Sequence, residues 1–420
     1  MDGHKSSRTI ISLLIAIGFA VMFASTAIKG IYQVYFVQLA EHYGRGRAQF
    51  AWSGGLFMLA TGFMSPLVGA LSDRVGPLRT SAIGAFGAGA ALLSVAVWHQ
   101  SIVFFSLAFG VVGAFGLAAM TFVPMGILVD RLFEEKKKGL AYAVVTNGTA
   151  IGFIVLSPMW IWLQPQASWI TVFAAVGVVL ALPIAITLWL ASRWEPSSAA
   201  AVSAEVPTKH ASAWSVVRHD AVFYVLAAGF FGCGATMAFI DVHLLPHWQD
   251  QGVPRFEMAF AMSALGVLEL LSGIASGMLA MRFNKHRLLA LFYAMRSLAM
   301  LLLLAPWLGI VPFAILFGAS YLGTVVLTSM FCFERYGSQI KGKVFGLLFL
   351  VHQLGAFLTV QLGAWSFESN RSYLHAIMAL TLLTLISATC SWFGLRGSDR
   401  FPRSSDRPIR QARPNLDVKG

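Results

Sequence analysis

Long apolar runs alternate with short polar breaks along this chain, and the length of each run is that of a membrane crossing. A helix rises about 1.5 Å per residue and the hydrocarbon core is about 30 Å thick, so roughly 20 apolar residues make one span. By that measure the pattern predicts helices over 9–40, 48–72, 78–98, 101–131, 139–163 and 168–192. A polar stretch at 193–218, carrying Ser, Ala, Pro and charges, holds no span. Six more helices are expected over 219–248, 256–282, 286–307, 309–334, 341–366 and 371–395. The remainder, 396–420, is rich in Arg, Pro and Ser and is expected to be disordered. The expected architecture is an all-α membrane protein of twelve helices, with six-helix bundles at 1–192 and 219–395 joined by the loop 193–218.

The second bundle reads as a copy of the first. Gly69-Ala-Leu-Ser-Asp-Arg-Val-Gly-Pro-Leu-Arg79 separates the second and third runs, and Gly277-Met-Leu-Ala-Met-Arg-Phe-Asn-Lys-His-Arg287 follows 208 residues later with Gly, Leu, Arg and Arg in the same places. Asp130-Arg131 at the end of the fourth run recurs as Glu334-Arg335, and Gly139 and Gly152 of the fifth recur as Gly342 and Gly355. Two such units build a cavity at their interface, where carriers place their substrate near mid-membrane.

Composition agrees and removes alternatives. Hydrophobic residues are 57% of the chain, charged residues 11%, and the mean hydropathy is +0.73; ordinary soluble domains carry about 25% charged residues. The net charge of +12 would suggest nucleic acid in a soluble protein, but here the basic residues sit in short loops, so no nucleic-acid partner is expected and the bilayer lipid is the surrounding partner. Of the 30 Lys and Arg residues, 24 fall on the side of the two termini and the central loop, and Arg45, Arg47, Arg255 and Arg371 fall on the other. The positive-inside rule then puts both termini in the cytoplasm, in a plasma (bacterial inner) membrane. The first run is too long for a signal-peptide core and reads as a retained span. Cys233, Cys332 and Cys390 lie in apolar runs without metal-ligand spacing and read as small packing residues. There is no phosphate-cradling Gly-Lys-Thr loop, no paired metal-binding histidines and no Ser-centred elbow, so neither an enzyme, a metal site nor a cofactor is expected.

The stretch Gly69-x-Leu-x-Asp73-Arg74-x-Gly76-x-x-Arg79, between a second and third span, resembles the loop signature of the major facilitator superfamily, and the twelve runs, central loop and second copy extend the resemblance over nearly the whole chain. It implies a monomeric secondary transporter of two rocking bundles. Gly69 permits close helix approach and Gly76-Pro77 a tight turn. Asp73 is expected to meet helix N-termini or the Lys136 to Lys138 cluster, and Arg74 to pair with Asp130, as a gate that breaks when that face opens. A static loop staple is the alternative. Tyr35-Phe-Val-Gln-Leu-Ala-Glu-His-Tyr-Gly44 with Ala48-Gln-Phe-Ala-Trp52, Ile240-Asp-Val-His-Leu-Leu-Pro246 and His352-Gln-Leu-Gly355 are similar to the monocarboxylate porters and oxalate–formate-type antiporters. Those families bind small carboxylates through a Lys in span 1 and an acid and Arg in span 8. The matching positions here are Gly30, next to Lys29, then Glu269 and Gly273.

Ionisable groups at bilayer depth are costly, so each needs a role or a partner. Lys29 and Asp241 each lie roughly 30 Å along their spans, and are expected to pair as a gate or to divide the work, Lys29 taking a substrate anion and Asp241 a proton. Glu269, about 18 Å deep, and Arg296, about 14 Å deep, are expected either to pair structurally or to leave Glu269 as a proton carrier. His243 and His352 can donate or accept hydrogen bonds near neutral pH, with helix–helix packing as the plainer reading, and Asn147 and Gln353 are candidates for substrate hydrogen bonds. The expected function is proton-coupled movement of a small organic anion, with transport of a larger amphiphile or a transporter-like sensor as the rivals. Replacing Asp73 by Asn should leave the protein in the membrane and sharply lower its transport rate in vesicles; a mutant with full activity would sink the gating role.

Overall fold

The computed structural model describes residues 2–196 and 213–396, with the side chains of 2–8, 135–136, 213 and 337–341 outside the description. The Lys136 side chain, most of the central stretch and the tail expected to be disordered beyond Arg396 therefore lie outside the description. What is described is almost wholly helical. The first half runs α1 (Asp2–His42), α2 (Arg47–Val75), α3 (Pro77–Val97), α4 (Ile102–Leu132), α5 (Glu135–Leu163) and α6 (Trp169–Trp194). The second half runs α7 (Ala221–Val242), α8 (Arg255–Ala280), α9 (Lys285–Leu302), α10 (Val311–Asn370) and α11 (Leu374–Gly394). A short turn of helix, Ala213–Val217, precedes α7, and a second, Leu244–Asp250, continues it past His243.

Local sequence explains where helices begin and bend. Ser101 and Ser168 accept from the N–H groups of Phe104 and Thr171 at 3.2 Å, and Asp220 accepts from Val222 at 3.1 Å, satisfying donors that a helix start leaves open. Between α2 and α3, Gly76 takes φ +98°, where a side chain would be strained, and Pro77 opens the next helix. Wider π turns interrupt α4 at Ala108–Gly113 and α6 at Leu180–Ile184, the latter holding Pro183, which has no N–H to give to a regular ladder.

The expected spans differ from these elements in three places. Helices expected at 309–334 and 341–366 are one unbroken helical run, α10. Phe313 near its start packs on Trp248 with ring centroids 6.0 Å apart, and Phe367 near its end on Tyr373 at 5.2 Å. Both ends therefore lie at one face while Glu334 and Arg335 reach the other, so the run doubles back into two legs, Val311–Tyr336 and Gly342–Asn370. The expected helix 219–248 is broken at His243, and 286–307 ends at Leu302 before a 3-10 turn, Pro306–Leu308. Among the described residues eleven helices are long and apolar enough to cross a membrane. The 18-residue α9 carries Lys285, Arg287 and Arg296, and these charges set it apart from the eleven.

Close packing repeats between the halves at one of the matched glycine pairs. A Cβ on Gly152 of α5 would press on the Phe23 carbonyl and Thr26 of α1, and one on Gly355 of α10 would press on the Phe231 carbonyl of α7. Small residues let helix backbones approach in lipid, where no hydrophobic force drives helices together. The hydrogen bonds and ion pairs joining described residues of the two halves all lie toward the face of Arg47 and Asp250, the distal face, opposite the face that bears both chain ends. On the terminal face, a Cβ on Gly277, Gly342 or Gly346 would meet nothing within 4 Å. The halves are clasped at the distal face, and among the described residues no hydrogen bond or ion pair joins them at the terminal one.

Substituting Val at Gly152 should reduce the yield of folded, monodisperse protein, because overpacking a tight contact costs about 1–3 kcal/mol. Gly139→Val, where nothing stands within 4 Å, should leave yield and melting temperature close to the parent's. Size-exclusion profiles and thermal unfolding in detergent check both.

Candidate functional site

Where α1 and α7 cross, the Lys29 ammonium donates to the Asp241 carboxylate, the first residue from one half and the second from the other. The lysine side chain is 32% exposed and the aspartate 10%, so the pair is reachable from one side only. One turn along α1, Gln33 Nε2 donates to the Ile240 carbonyl at 2.6 Å and fixes the backbone beside Asp241. A narrow space against the pair is lined by Tyr32, Gly54, Phe57, Met58, Phe109 and Val242. Tyr32 stacks on Phe109 with centroids 4.8 Å apart and shares a hydrogen bond with Ser53 at 3.2 Å. The arrangement is one charge pair set in an aromatic wall.

Glu269 of α8 is part-buried, and no ion pair to its carboxylate is found among the described residues. It stands within Coulombic reach of Asp241, Lys29 and Arg296. The Glu269–Arg296 pair, one of the two expectations, is not formed. Arg296 is fully buried and turns away from the cavity, donating to the Ser320 and Tyr321 carbonyls at 2.9 and 2.8 Å and to the Thr324 and Thr236 hydroxyls at 3.1 and 3.3 Å. Its plane also lies over Phe317 at 5.1 Å. Neutral acceptors from α7 and α10 take the place of a counter-charge.

Both candidate histidines take their polar contacts from the second half, and His243 also meets the Phe36 ring of α1 edge-on at 5.8 Å. His243 Nε2 lies 2.9 Å from the Val360 carbonyl, and His352 Nε2 lies 3.3 Å from the Met237 sulfur with its ring parallel to Phe349. Asn147 is part-buried on α5, and Gln353 lies against Gly62 of α2, at the contact between the halves.

The loop motif is arranged otherwise than expected. Asp73 and Arg74 are exposed and neither has an ion pair among the described residues. Asp130 pairs instead with Lys138 at 2.5 Å, because the short turn before α5 folds that lysine back over the end of α4. Arg131 reaches the Ser72 carbonyl at 3.4 Å, at the C-terminal, electronegative end of α2. Arg79 donates to Ser192 Oγ at 3.3 Å and lies over Trp189 at 5.8 Å. Gly69 faces Val123 of its own half, and Gly76 leaves room for Glu195, whose carboxylate accepts from the Leu78 N–H at the start of α3. Burial pushes the Glu195 carboxyl above its ordinary range, against the opposing pull of that N–H and of Arg131 and Arg79. In the second half Arg335 grips Asp220 at 2.6 and 2.8 Å, and Lys285 meets Glu334 at 2.5 Å.

Glu195 and Gln33 escape sequence reasoning altogether. An acid just past a span end looks like any loop acid, and a glutamine inside a span looks like a packing residue. Arg47, Asp250, Glu368 and Tyr373, which meet across the distal face, were visible only as span-end charges and an aromatic.

An all-helical membrane protein whose two repeated halves enclose a charged cavity is a carrier in architecture. Residues 14–360 match the family model of the Major Facilitator Superfamily, and the chain belongs to that family, as a transporter and not an enzyme. It is 28% identical over 368 residues to an uncharacterized MFS-type transporter, YcxA, of Bacillus subtilis, covering 86% of this chain and 89% of that protein. It is 24% identical over 415 residues to monocarboxylate transporter 12-B of Danio rerio, covering 91% and 86%, and 23% identical to mouse monocarboxylate transporter 12, covering 97% and 90%. A bacterial homolog of the human lysosomal transporter Spinster, solved inward-facing and unoccupied, superposes with a TM-score of 0.72 at 16% identity, covering 94% of this chain and 99% of that one. That likeness concerns the fold.

Replacing Arg296 by Gln should lower the melting temperature by several degrees, since a buried charged hydrogen-bonding group is worth about 1.5–3 kcal/mol. Glu269→Gln should leave it in place, because no partner is lost. Equal losses in both mutants would show a pairing that the geometry denies.

Proposed function

We propose that the protein moves a small organic anion, a monocarboxylate by preference, together with a proton, by rocking its two halves about the central cavity. The carrying observation is the Lys29–Asp241 pair, which joins the two halves at the cavity wall. A buried ion pair cannot simply be opened, since leaving one charge uncompensated costs about 3–5 kcal/mol. A substrate carboxylate can take the ammonium only if Asp241 gives it up, and a proton on Asp241 removes the charge that would be left behind. Lys29 then binds the anion, Asp241 holds the proton, and the cavity's net charge is unchanged. The loaded step is electroneutral, which avoids the work of moving charge through the membrane potential. Glu269, for which no ion pair is found among the described residues and which interacts electrostatically with both, is the second proton site and passes protons between Asp241 and the terminal face. Asn147, His243 and His352 complete this reading as further substrate-binding or proton-coupling residues.

The remaining assignments follow the same reading. The division at residues 193–218 separates two six-helix units, with α9 as a full member of the second. The terminal face is cytoplasmic on the balance of basic residues, in a plasma membrane, and the clasped distal face makes this an inward-facing state. Asp73, Arg74, Arg79, Asp130, Gly69 and Gly76 belong to the gate that closes the terminal face; with that face parted, Asp73 and Arg74 stand exposed. The protein works as a monomer. Similarity to proteins named as monocarboxylate transporters supports the substrate class. The aromatic lining, with Tyr32, Phe57 and Phe109, favours a second reading, transport of a larger amphiphile.

Purified protein in proteoliposomes, given an inward pH gradient and labelled short-chain carboxylates, should accumulate them, and an imposed membrane potential should leave the rate unchanged. Lys29→Gln should lower uptake about tenfold or more, a loss of at least about 1.4 kcal/mol. Asp241→Asn should keep carboxylate exchange while losing accumulation driven by the gradient. Dye efflux with no carboxylate uptake would overturn the anion reading in favour of the amphiphile.

A further inference from the structure

The terminal face carries a repeated device that the transport cycle does not use. In the first half, Arg79 of α3 lies over the Trp189 ring of α6 at 5.8 Å and stands within Coulombic reach of Glu195. In the second half, Arg287 of α9 lies over the Trp392 ring of α11, again at 5.8 Å. Arg287 follows Arg79 by 208 residues, the offset of the loop motif, and Trp392 follows Trp189 by 203. Arginine on tryptophan is one arrangement built twice.

What differs is the negative charge. The same 203 residues lead from Arg193 to Arg396 and from Glu195 to Ser398, so the second half keeps the basic residue and drops the acid from that register. Arg396 lies over Trp392 at 5.5 Å and over Phe393 at 4.6 Å, and two guanidinium groups thus share one indole. Both arginines are exposed, and neither has an ion pair among the described residues. Glu334 and Asp220 of the same half are already held, the first by Lys285 and the second by Arg335 and Tyr336. Two like charges at one ring repel, and an anion set against both relieves that repulsion.

The surroundings select the anion. α9 and α11 pack together, with Ser297 Oγ donating to the Thr381 carbonyl at 3.0 Å. Toward mid-membrane from the arginines, this pair exposes Leu291 and Leu298 of α9 and Leu382 and Leu385 of α11. A soluble anion would use the arginines alone, whereas a phospholipid would set its phosphodiester on them and its acyl chains along the leucines. Tryptophan and arginine at span ends sit at headgroup level, and the guanidinium fork matches phosphate oxygens. We propose that Arg287, Arg396 and Trp392 bind the phosphodiester of an anionic phospholipid in the leaflet of the terminal face, in place of the charge that Glu195 provides in the first half. The lipid also anchors the start of α9, whose charges set it apart from the eleven apolar spans. The site lies apart from Lys29 and Asp241, so it stands or falls independently of what the cavity carries.

The test titrates the full-length protein in detergent with dioleoylphosphatidylglycerol, with dioleoylphosphatidylcholine and with inorganic phosphate, counting bound lipid by native mass spectrometry. The parent should retain phosphatidylglycerol in preference to phosphatidylcholine, and phosphatidylglycerol should raise its melting temperature. Arg287→Gln and Arg396→Gln should each lower phosphatidylglycerol affinity about fivefold, the share of one basic residue at an anionic surface. Arg282→Gln removes the same charge from another exposed position of that face and should change the affinity little. Arg287→Lys with Arg396→Lys keeps both charges, guards against a folding defect, and should still bind more weakly because an ammonium lacks the fork. Unchanged affinity in both Gln variants overturns the site, as does an equal loss in Arg282→Gln, which would show attraction to net charge alone. A melting shift from inorganic phosphate as large as that from the lipid overturns the lipid in favour of a soluble anion.

Discussion

A charge that crosses between two halves in a low-dielectric interior is the constraint on which the rest of this molecule turns. Lys29 and Asp241 hold each other across the junction of α1 and α7, and neither can be released alone without stranding the other. The surrounding structure is arranged around that fact. Gln33 fixes the Ile240 backbone beside the acid, and Tyr32, Phe57 and Phe109 keep the lysine's other side apolar. Close glycine contacts at Gly152 and Gly355 press α5 onto α1 and α10 onto α7. Each half is thereby stiffened, and on the proposed reading the two halves move as bodies while the pair between them changes partner.

The repeat was legible because it is written in residue types with backbone consequences. One matched glycine pair marks close helix approach, since the structure puts Gly152 and Gly355 on equivalent neighbours, Phe23 and Phe231, while the matched Gly139 and Gly342 stand in open space. Span lengths were legible for the same reason, since apolar run length maps directly onto bilayer thickness. The reversal inside α10 was readable as two spans because the polar residues around Glu334 to Lys343 look like a loop, but the absence of a separate loop between the two helical legs was not.

Partners inside the membrane were much harder to read. Counting residues along a helix fixes depth and says nothing of which way a side chain faces, and each residue turns about 100° from the last. Glu269 and Arg296 have similar depths, yet Arg296 faces the hydroxyls and carbonyls of α7 and α10, while no ion pair to Glu269 is found among the described residues. Lys29 and Asp241 also have similar depths and do meet, because α1 and α7 cross there. The difference lies in rotation and helix placement, which tertiary packing decides. The same limit separates Arg74 from Asp130: once Lys138 folds back over the end of α4, Asp130 is taken.

The census of basic residues hides a further distinction. Arg47 counts as one of four charges on the sparsely basic side, and by the positive-inside rule it is merely an exception. In the folded chain it is the most constrained charge of that face, gripped by Asp250, bonded to Tyr373 and stacked on Phe367. Asp73 and Arg74 on the densely basic face show the reverse, a recognisable motif standing exposed. On the proposed reading these two observations describe one state. The halves cannot close at both ends while leaving a path to the cavity, so contacts made at the distal face are bought with contacts given up at the terminal one. A motif designed for the closed terminal face is then idle here for the same reason that Arg47 is engaged.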